Sequence, residues 1–159
     1  MILRAADCGV PAPLIPLILV GINLVFAASS YPFGKLADHL SSSKFLALGL
    51  IFLIASDSVF ALWQTPYAVA GGVVLFGLHL GASQGIFSMM VAKLAPAAFK
   101  ATAFGIFNFL CGLATLIAGL LAGFIWELYS PAYTFALGAI FALLSLLLLT
   151  VLMRRHLID

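Results

Sequence analysis

The stretch GKLADHLSSSK, residues 34–44, is a short charged loop between two long apolar runs. The runs cover about residues 14–33 and 45–63, and a helix needs roughly 20 apolar residues to cross a bilayer core of about 30 Å. Backbone N–H and C=O groups inside lipid must be satisfied within the protein, which favours helices. The loop and its flanks therefore predict two membrane-spanning helices joined at one membrane surface.

The rest of the chain repeats this pattern of apolar runs. Three more runs of spanning length cover about residues 67–92, 101–125 and 132–153. Hydrophobic residues make up 65% of the chain and charged residues only 8%, whereas soluble domains carry about 25% charged residues. The run Leu143–Leu149 lacks the alternating polarity of a membrane β-strand. We therefore predict an all-α, polytopic membrane helix bundle with five transmembrane helices, in a single membrane domain over residues 1–159.

The basic residues fall almost entirely on one side of the predicted spans. They are Lys35, Lys44, Lys93, Lys100, Arg154 and Arg155, with Arg4 on the other side. Because Lys and Arg concentrate in short cytoplasmic loops, we expect a cytoplasmic carboxyl terminus. We also expect the protein to lie in the plasma (inner) membrane. No soluble basic face is present for nucleic acid, and no metal-ligand spacing occurs, so we expect no nucleic-acid partner, no metal and no cofactor.

Three segments of the chain resemble one protein family. The spacing from Gly34 to Asp38, with Lys44 following, resembles the signature loop of the major facilitator superfamily of secondary transporters. The segment GLHLGASQG, residues 77–85, resembles the tenth span of that family, and KATAFGIFN, residues 100–108, resembles the start of its eleventh. The resemblance implies a partial carboxy-terminal half of such a transporter, holding spans eight to twelve.

The resemblance also implies a function and partners. We expect transport of a small-molecule substrate across the lipid bilayer by alternating access, with proton coupling left open. Because rocking requires a second helix bundle, the expected partner is the missing amino-terminal half, and the fragment alone is expected to be inactive and not an enzyme. The alternative is a non-transporting remnant, or a small subunit that packs on another membrane protein.

The signature loop implies a gate. In the family the loop aspartate faces the start of the eleventh span and helps to hold the cytoplasmic gate, which here implies a gate of Gly34, Asp38, Lys44 and Lys100. The positive end of a helix stabilises a nearby carboxylate by about 0.3–1 kcal/mol. The alternative is that Asp38 is simply a polar residue in a solvated turn.

Polar residues inside the spans are candidates for contacts with substrate. Asn23 and Asn108 each share a helix face with small residues, which allow helices to approach closely. The resemblance implies that the eighth, tenth and eleventh spans line the substrate cavity, so that Asn23, Gln84 and Asn108 are candidate cavity residues. For the two asparagines, helix packing is the alternative reading.

Asp57 and His79 are the candidates for proton coupling. An ionised carboxylate at mid-membrane costs on the order of 2.5–3.5 kcal/mol, so Asp57 needs a partner or a function. A structural carboxylate solvated by Ser56 and Ser58 is the alternative. Histidine exchanges a proton near neutral pH, which suits His79 to a relay, and a hydrogen bond to a neighbouring helix is the alternative.

Overall fold

The structure is a computed structural model that describes residues 1–37 and 41–155. Its helices in chain order are α1 (Ile2–Asp7), α2 (Ile15–Ala37), α3 (Ser42–Leu62), α4 (Pro66–Leu94), α5 (Lys100–Leu128) and α6 (Pro131–Arg154). Short 3₁₀ turns, Ala12–Leu14 and Ala97–Phe99, lead into α2 and α5. No strand occurs in these two ranges, and the all-α prediction is confirmed.

Five of the helices, α2 to α6, are long and apolar enough to cross a membrane. Proline begins two of them: Pro66 and Pro131 occupy first-turn positions, where a missing backbone N–H leaves no intrahelical bond unmade. Thr65 precedes α4, and its Oγ1 accepts a hydrogen bond from the Ala68 backbone N–H at 3.2 Å. The predicted number of spans is confirmed, and so is the polytopic helix bundle.

The second helix is longer than the sequence pattern indicates. We predicted an end near residue 33, whereas α2 continues through Pro32 and Gly34 to Ala37. A change from apolar to polar side chains marks where a helix leaves lipid, but it does not stop the i to i−4 backbone hydrogen bonds. Gly34 therefore lies on the last turns of a helix, and not in a loop.

Helix α3 lies between α4 and α6 and packs on both. Two hydrogen bonds join it to α4: Ser56 Oγ donates to the Gly72 carbonyl at 2.9 Å, and His79 Nδ1 lies 2.8 Å from the Gly49 carbonyl oxygen. Both accepting carbonyls belong to glycines, which allow two backbones to approach closely. The order of these contacts along the two helices makes α3 and α4 antiparallel.

Helix α2 runs parallel to α4 and packs closely on it. Three glycines mark the contact, Gly21 against Val73, Gly77 against Val25 and Gly81 against Ser29. A Cβ atom added at Gly77 would lie 2.7 Å from the Val25 Cβ, which is closer than side chains tolerate. Glycine at this position therefore sets the distance between α2 and α4.

Helix α6 packs on the other side of α3. The Phe60 and Phe135 rings stack with their centroids 5.0 Å apart, and both residues belong to the larger hydrophobic core. The Asp57 carboxylate lies against Gly138, where an added Cβ would be 2.7 Å from Oδ2. Phe60 and Asp57 of α3 thus both lie in the contact between α3 and α6.

Helix α5 contacts this core near its carboxyl end, where the Trp126 ring meets the Phe135 ring edge to face at 6.2 Å. None of its residues is buried, and one of its few contacts is between the Phe87 and Phe107 rings, 6.2 Å apart. A Cβ atom added at any of its glycines would meet nothing within 4 Å; these are Gly105, Gly112, Gly119 and Gly123. The small-residue face of α5 therefore has no neighbouring helix within the described part of the chain.

Candidate functional site

Successive spanning helices run in opposite directions and bring six described basic residues to one end of the bundle. Near or at the helix termini of this basic end lie Lys35, Lys44, Lys93, Lys100, Arg154 and Arg155. Lys44 and Lys100 are exposed there, and the Lys35 ammonium lies over the Tyr31 ring, 4.7 Å from its centroid. Asp38, the expected partner of Lys100 in the gate, lies outside the described residues, as does His39.

A cavity of about 480 Å³ opens between α2 and α4 in the half of the bundle next to the basic end. We call it the α2–α4 groove. Its aromatic and polar walls are formed by Phe26, Phe33, Phe45, Ser30, Gln84 and Ser88. Glycines complete the lining, namely Gly34, Gly81 and Gly85. Its volume lies within the range of roughly 300–1,000 Å³ that is usual for small-molecule sites.

The groove exists because α4 contacts α2 closely at Gly81 but not at Gly85, one turn later. Gly81 sits directly against Ser29, with no room for a Cβ atom, whereas a Cβ atom at Gly85 would meet nothing within 4 Å. The side chains of Phe33 and Phe45 meet edge to face at 5.6 Å and form a wall near the basic end. The contact at Gly81 closes the groove at its other end, away from the basic end of the bundle.

Three polar side chains line the groove. Ser30 donates its hydroxyl hydrogen to the Phe26 carbonyl at 2.6 Å, so its oxygen is left as an acceptor. Gln84 and Ser88 are exposed side chains of α4, one turn apart on the same helix face. A carboxamide both donates and accepts hydrogen bonds, so the groove offers both kinds of partner to a ligand.

The groove therefore brings together two of the predicted site residues, Gly34 and Gln84. It does not include Asn23, whose Nδ2 donates to the Leu19 carbonyl of its own helix at 2.7 Å. It does not include Asn108 either, which is exposed on α5. Both asparagines lie on open helix surface in the described part of the chain.

Asp57 and His79 lie elsewhere, inside helix contacts. Asp57 is buried, with 8% of its surface exposed, and faces α6 through Gly138. His79 is half-buried between α3 and α4, where its bond to the Gly49 carbonyl requires a proton on Nδ1. The sequence pattern placed both residues within spans, but it did not identify these neighbours.

Arg4, which the sequence places on the side opposite to the other basic residues, is buried. Only 2% of it is exposed, and its Nε donates to the Phe60 carbonyl at 3.0 Å. Phe60 lies in the last turn of α3, where carbonyls have no partner within the helix and favour a cation. The position of Arg4 among apolar neighbours, MILRAA at residues 1–6, was the available signal of burial.

A sequence profile of the Major Facilitator Superfamily matches residues 2–157. The chain belongs to the major facilitator superfamily. Together with the five spanning helices, this makes it an integral, multi-pass membrane protein of a transporter family.

One curated member of the superfamily is similar over most of this chain. An uncharacterised MFS-type transporter of Methanocaldococcus jannaschii is 32% identical over 139 residues, which are 87% of this chain and 35% of that protein. This facilitator chain thus spans about a third of that relative's length.

Proposed function

We propose that this chain contributes to the transport of a small solute across the membrane, with the α2–α4 groove as part of the solute's path. Membership of the superfamily supports a transporter role. The observation that carries the proposal is the groove itself, a cavity of about 480 Å³ with a carboxamide and two hydroxyls among aromatic rings. Apolar walls with a few placed polar groups are typical of small-molecule sites.

Transport by alternating access requires a second helix bundle against which this one rocks. The chain corresponds to 35% of its relative's length, and α5 leaves its apolar surface uncovered. The proposed transporting unit is therefore this chain, as a partial carboxy-terminal half, together with an amino-terminal half. That unit would lie in the plasma (inner) membrane with the basic end and the carboxyl terminus in the cytoplasm, since basic residues favour that side.

Two groups of residues have proposed roles other than solute binding. Gly34, Asp38, Lys44 and Lys100 would hold a gate at the basic end. Asp57 would carry the coupling proton, because a buried carboxylate inside a membrane span calls for a function or a partner. Asp57→Asn should then abolish the pH dependence of uptake, and uptake that keeps its pH dependence would remove Asp57 from the mechanism.

The transport proposal is tested by accumulation assays in cells from which the native gene has been deleted. Radiolabelled solutes are screened for uptake that returns when the gene is restored. Gly85→Leu should fill the groove and stop that uptake, because open space surrounds the position. Gly71→Leu is the matched control, since Gly71 is also on α4, also has no neighbour within 4 Å, and lies outside the groove. Equal uptake by the two variants would exclude the groove from the path.

A further inference from the structure

The charge of the groove restricts what it can bind. None of the described residues that line it is acidic or basic. Lys35 and Lys44 are each adjacent in sequence to a lining residue, but neither lines the groove. The Lys35 ammonium lies over the Tyr31 ring, which is also outside the lining, and Lys44 is exposed. An ion that entered the groove would lose part of its hydration and would find no counter-ion among the described lining residues. Burying a charge without a partner is strongly unfavourable.

The walls of the groove suit a flat apolar body. The Phe33 ring meets Phe45 edge to face at 5.6 Å and stacks on Phe52 at 6.2 Å, so two neighbours hold it in place. Met89 lies on the same lining, and its flexible thioether adapts to ligands of different shape. Aromatic rings prefer edge-to-face or offset neighbours, which an aromatic ligand supplies.

The polar groups of the groove are few and are uncharged. The hydroxyl hydrogen of Ser30 is already donated to Phe26, while the Gln84 carboxamide makes no hydrogen bond with any described residue and so has both its donor and its acceptor available. Ser88 follows one turn later on α4. A ligand with one hydroxyl, carbonyl or amide group would therefore find partners without carrying a charge.

We propose that the α2–α4 groove selects uncharged organic solutes that combine an aromatic or apolar body with one or two hydrogen-bonding groups, and that it rejects the ionised forms of the same molecules. This inference rests on the proposed transport function, for which it names the substrate class. Gln84 is the residue that orients the polar end of the solute, and Gly85 is the residue whose missing side chain leaves room for its body.

The test uses three photoreactive probes that share one body and differ in charge. They are 4-(hydroxymethyl)benzophenone, 4-benzoylbenzoate and 4-benzoylbenzylamine, which at neutral pH are uncharged, anionic and cationic. Membranes containing the protein are irradiated with each probe, and mass spectrometry measures labelling of residues 26–37 and 81–89. Labelling of α5, which has no buried residue, serves as the internal reference for the amount of probe in the membrane.

The uncharged probe should label the groove segments at least about tenfold more than either ionised probe after this normalisation, because a penalty of about 1.4 kcal/mol already gives a tenfold difference. Gly85→Leu should remove most of the groove labelling and Gly71→Leu should leave it unchanged. Gln84→Leu should lower it while labelling of α5 stays constant.

Equal normalised labelling by the charged and uncharged probes would overturn the inference, and so would groove labelling that Gly85→Leu leaves intact. Failure of the inference and failure of the transport proposal are distinguishable. Gly85-dependent uptake of a charged solute would overturn the substrate class and keep the transport function. Selective groove labelling in a protein that restores no uptake would leave a binding site for uncharged molecules and remove the transport function.

Discussion

Gly77 provides the sharpest test of how α2 and α4 are held together. A Cβ atom at this position would lie 2.7 Å from Val25 Cβ, 2.8 Å from Val25 Cγ1 and 3.0 Å from the Ile22 carbonyl oxygen. Carbon atoms pack best at roughly 3.5–4.0 Å, so Gly77→Ala must push the two helices apart by about 1 Å. Because one of the atoms in the way belongs to the backbone, a rotamer change cannot remove the conflict.

The expected cost follows from a comparison with Gly85, where an added Cβ meets nothing within 4 Å. Both Gly→Ala changes gain about 0.5–1 kcal/mol of helix stability, which cancels in the comparison. Overpacking should therefore lower the free energy of unfolding of Gly77→Ala by about 1–3 kcal/mol relative to Gly85→Ala. For a chain of this size that difference corresponds to roughly 2–12 °C in melting temperature.

The assay is thermal denaturation of a fluorescent fusion in mild detergent, followed by size-exclusion chromatography of the protein that remains dispersed. Gly77→Ala should lose its monodisperse peak at a lower temperature than Gly85→Ala. Equal melting temperatures for the two variants would refute the close approach of α2 and α4 at Gly77.

Three further outcomes are expected in the same detergent preparation. Arg4→Gln should lose about 1.5–3 kcal/mol of stability, because it removes a charged hydrogen bond to α3. The control is Asp7→Asn, a change at an exposed residue of α1, which should stay within about 0.5 kcal/mol of the parent. Similar melting curves for the two variants would contradict the role of Arg4. His79→Leu should lose about 1 kcal/mol with its hydrogen bond to α3, and an unchanged melting temperature would show that this bond contributes nothing net. N-ethylmaleimide, which enters detergent micelles, should modify Cys111, on the uncovered surface of α5, well before the buried Cys8. Peptide mass mapping over time would reveal the order, and the reverse order would contradict the packing of α1 on the core.

The candidate site was only partly predictable from the sequence. The resemblance to the tenth span made Gln84 a candidate cavity residue, and the structure places Gln84 in the lining of the groove. The helical spacing on the fourth span aligned Asn108 with small residues, yet that face of α5 meets no described helix. Periodicity reports which residues share a face of one helix, but it carries no information about what lies opposite that face.

Local composition alone determined that the chain forms spanning helices and that it lies in a membrane. Each apolar run is long enough to span a bilayer, and lipid forces the backbone of such a run to satisfy its own hydrogen bonds. The number of spanning helices therefore did not depend on long-range contacts. Which helices pack against each other, in contrast, did depend on long-range contacts. Gly77 is closed in by α2 while Gly85, two turns later on the same helix, faces open space, and Arg4 lies at the end of α3 because it bonds a carbonyl 56 positions away. Such contacts arise when helices distant in sequence pack together, and no local pattern of residues specifies them.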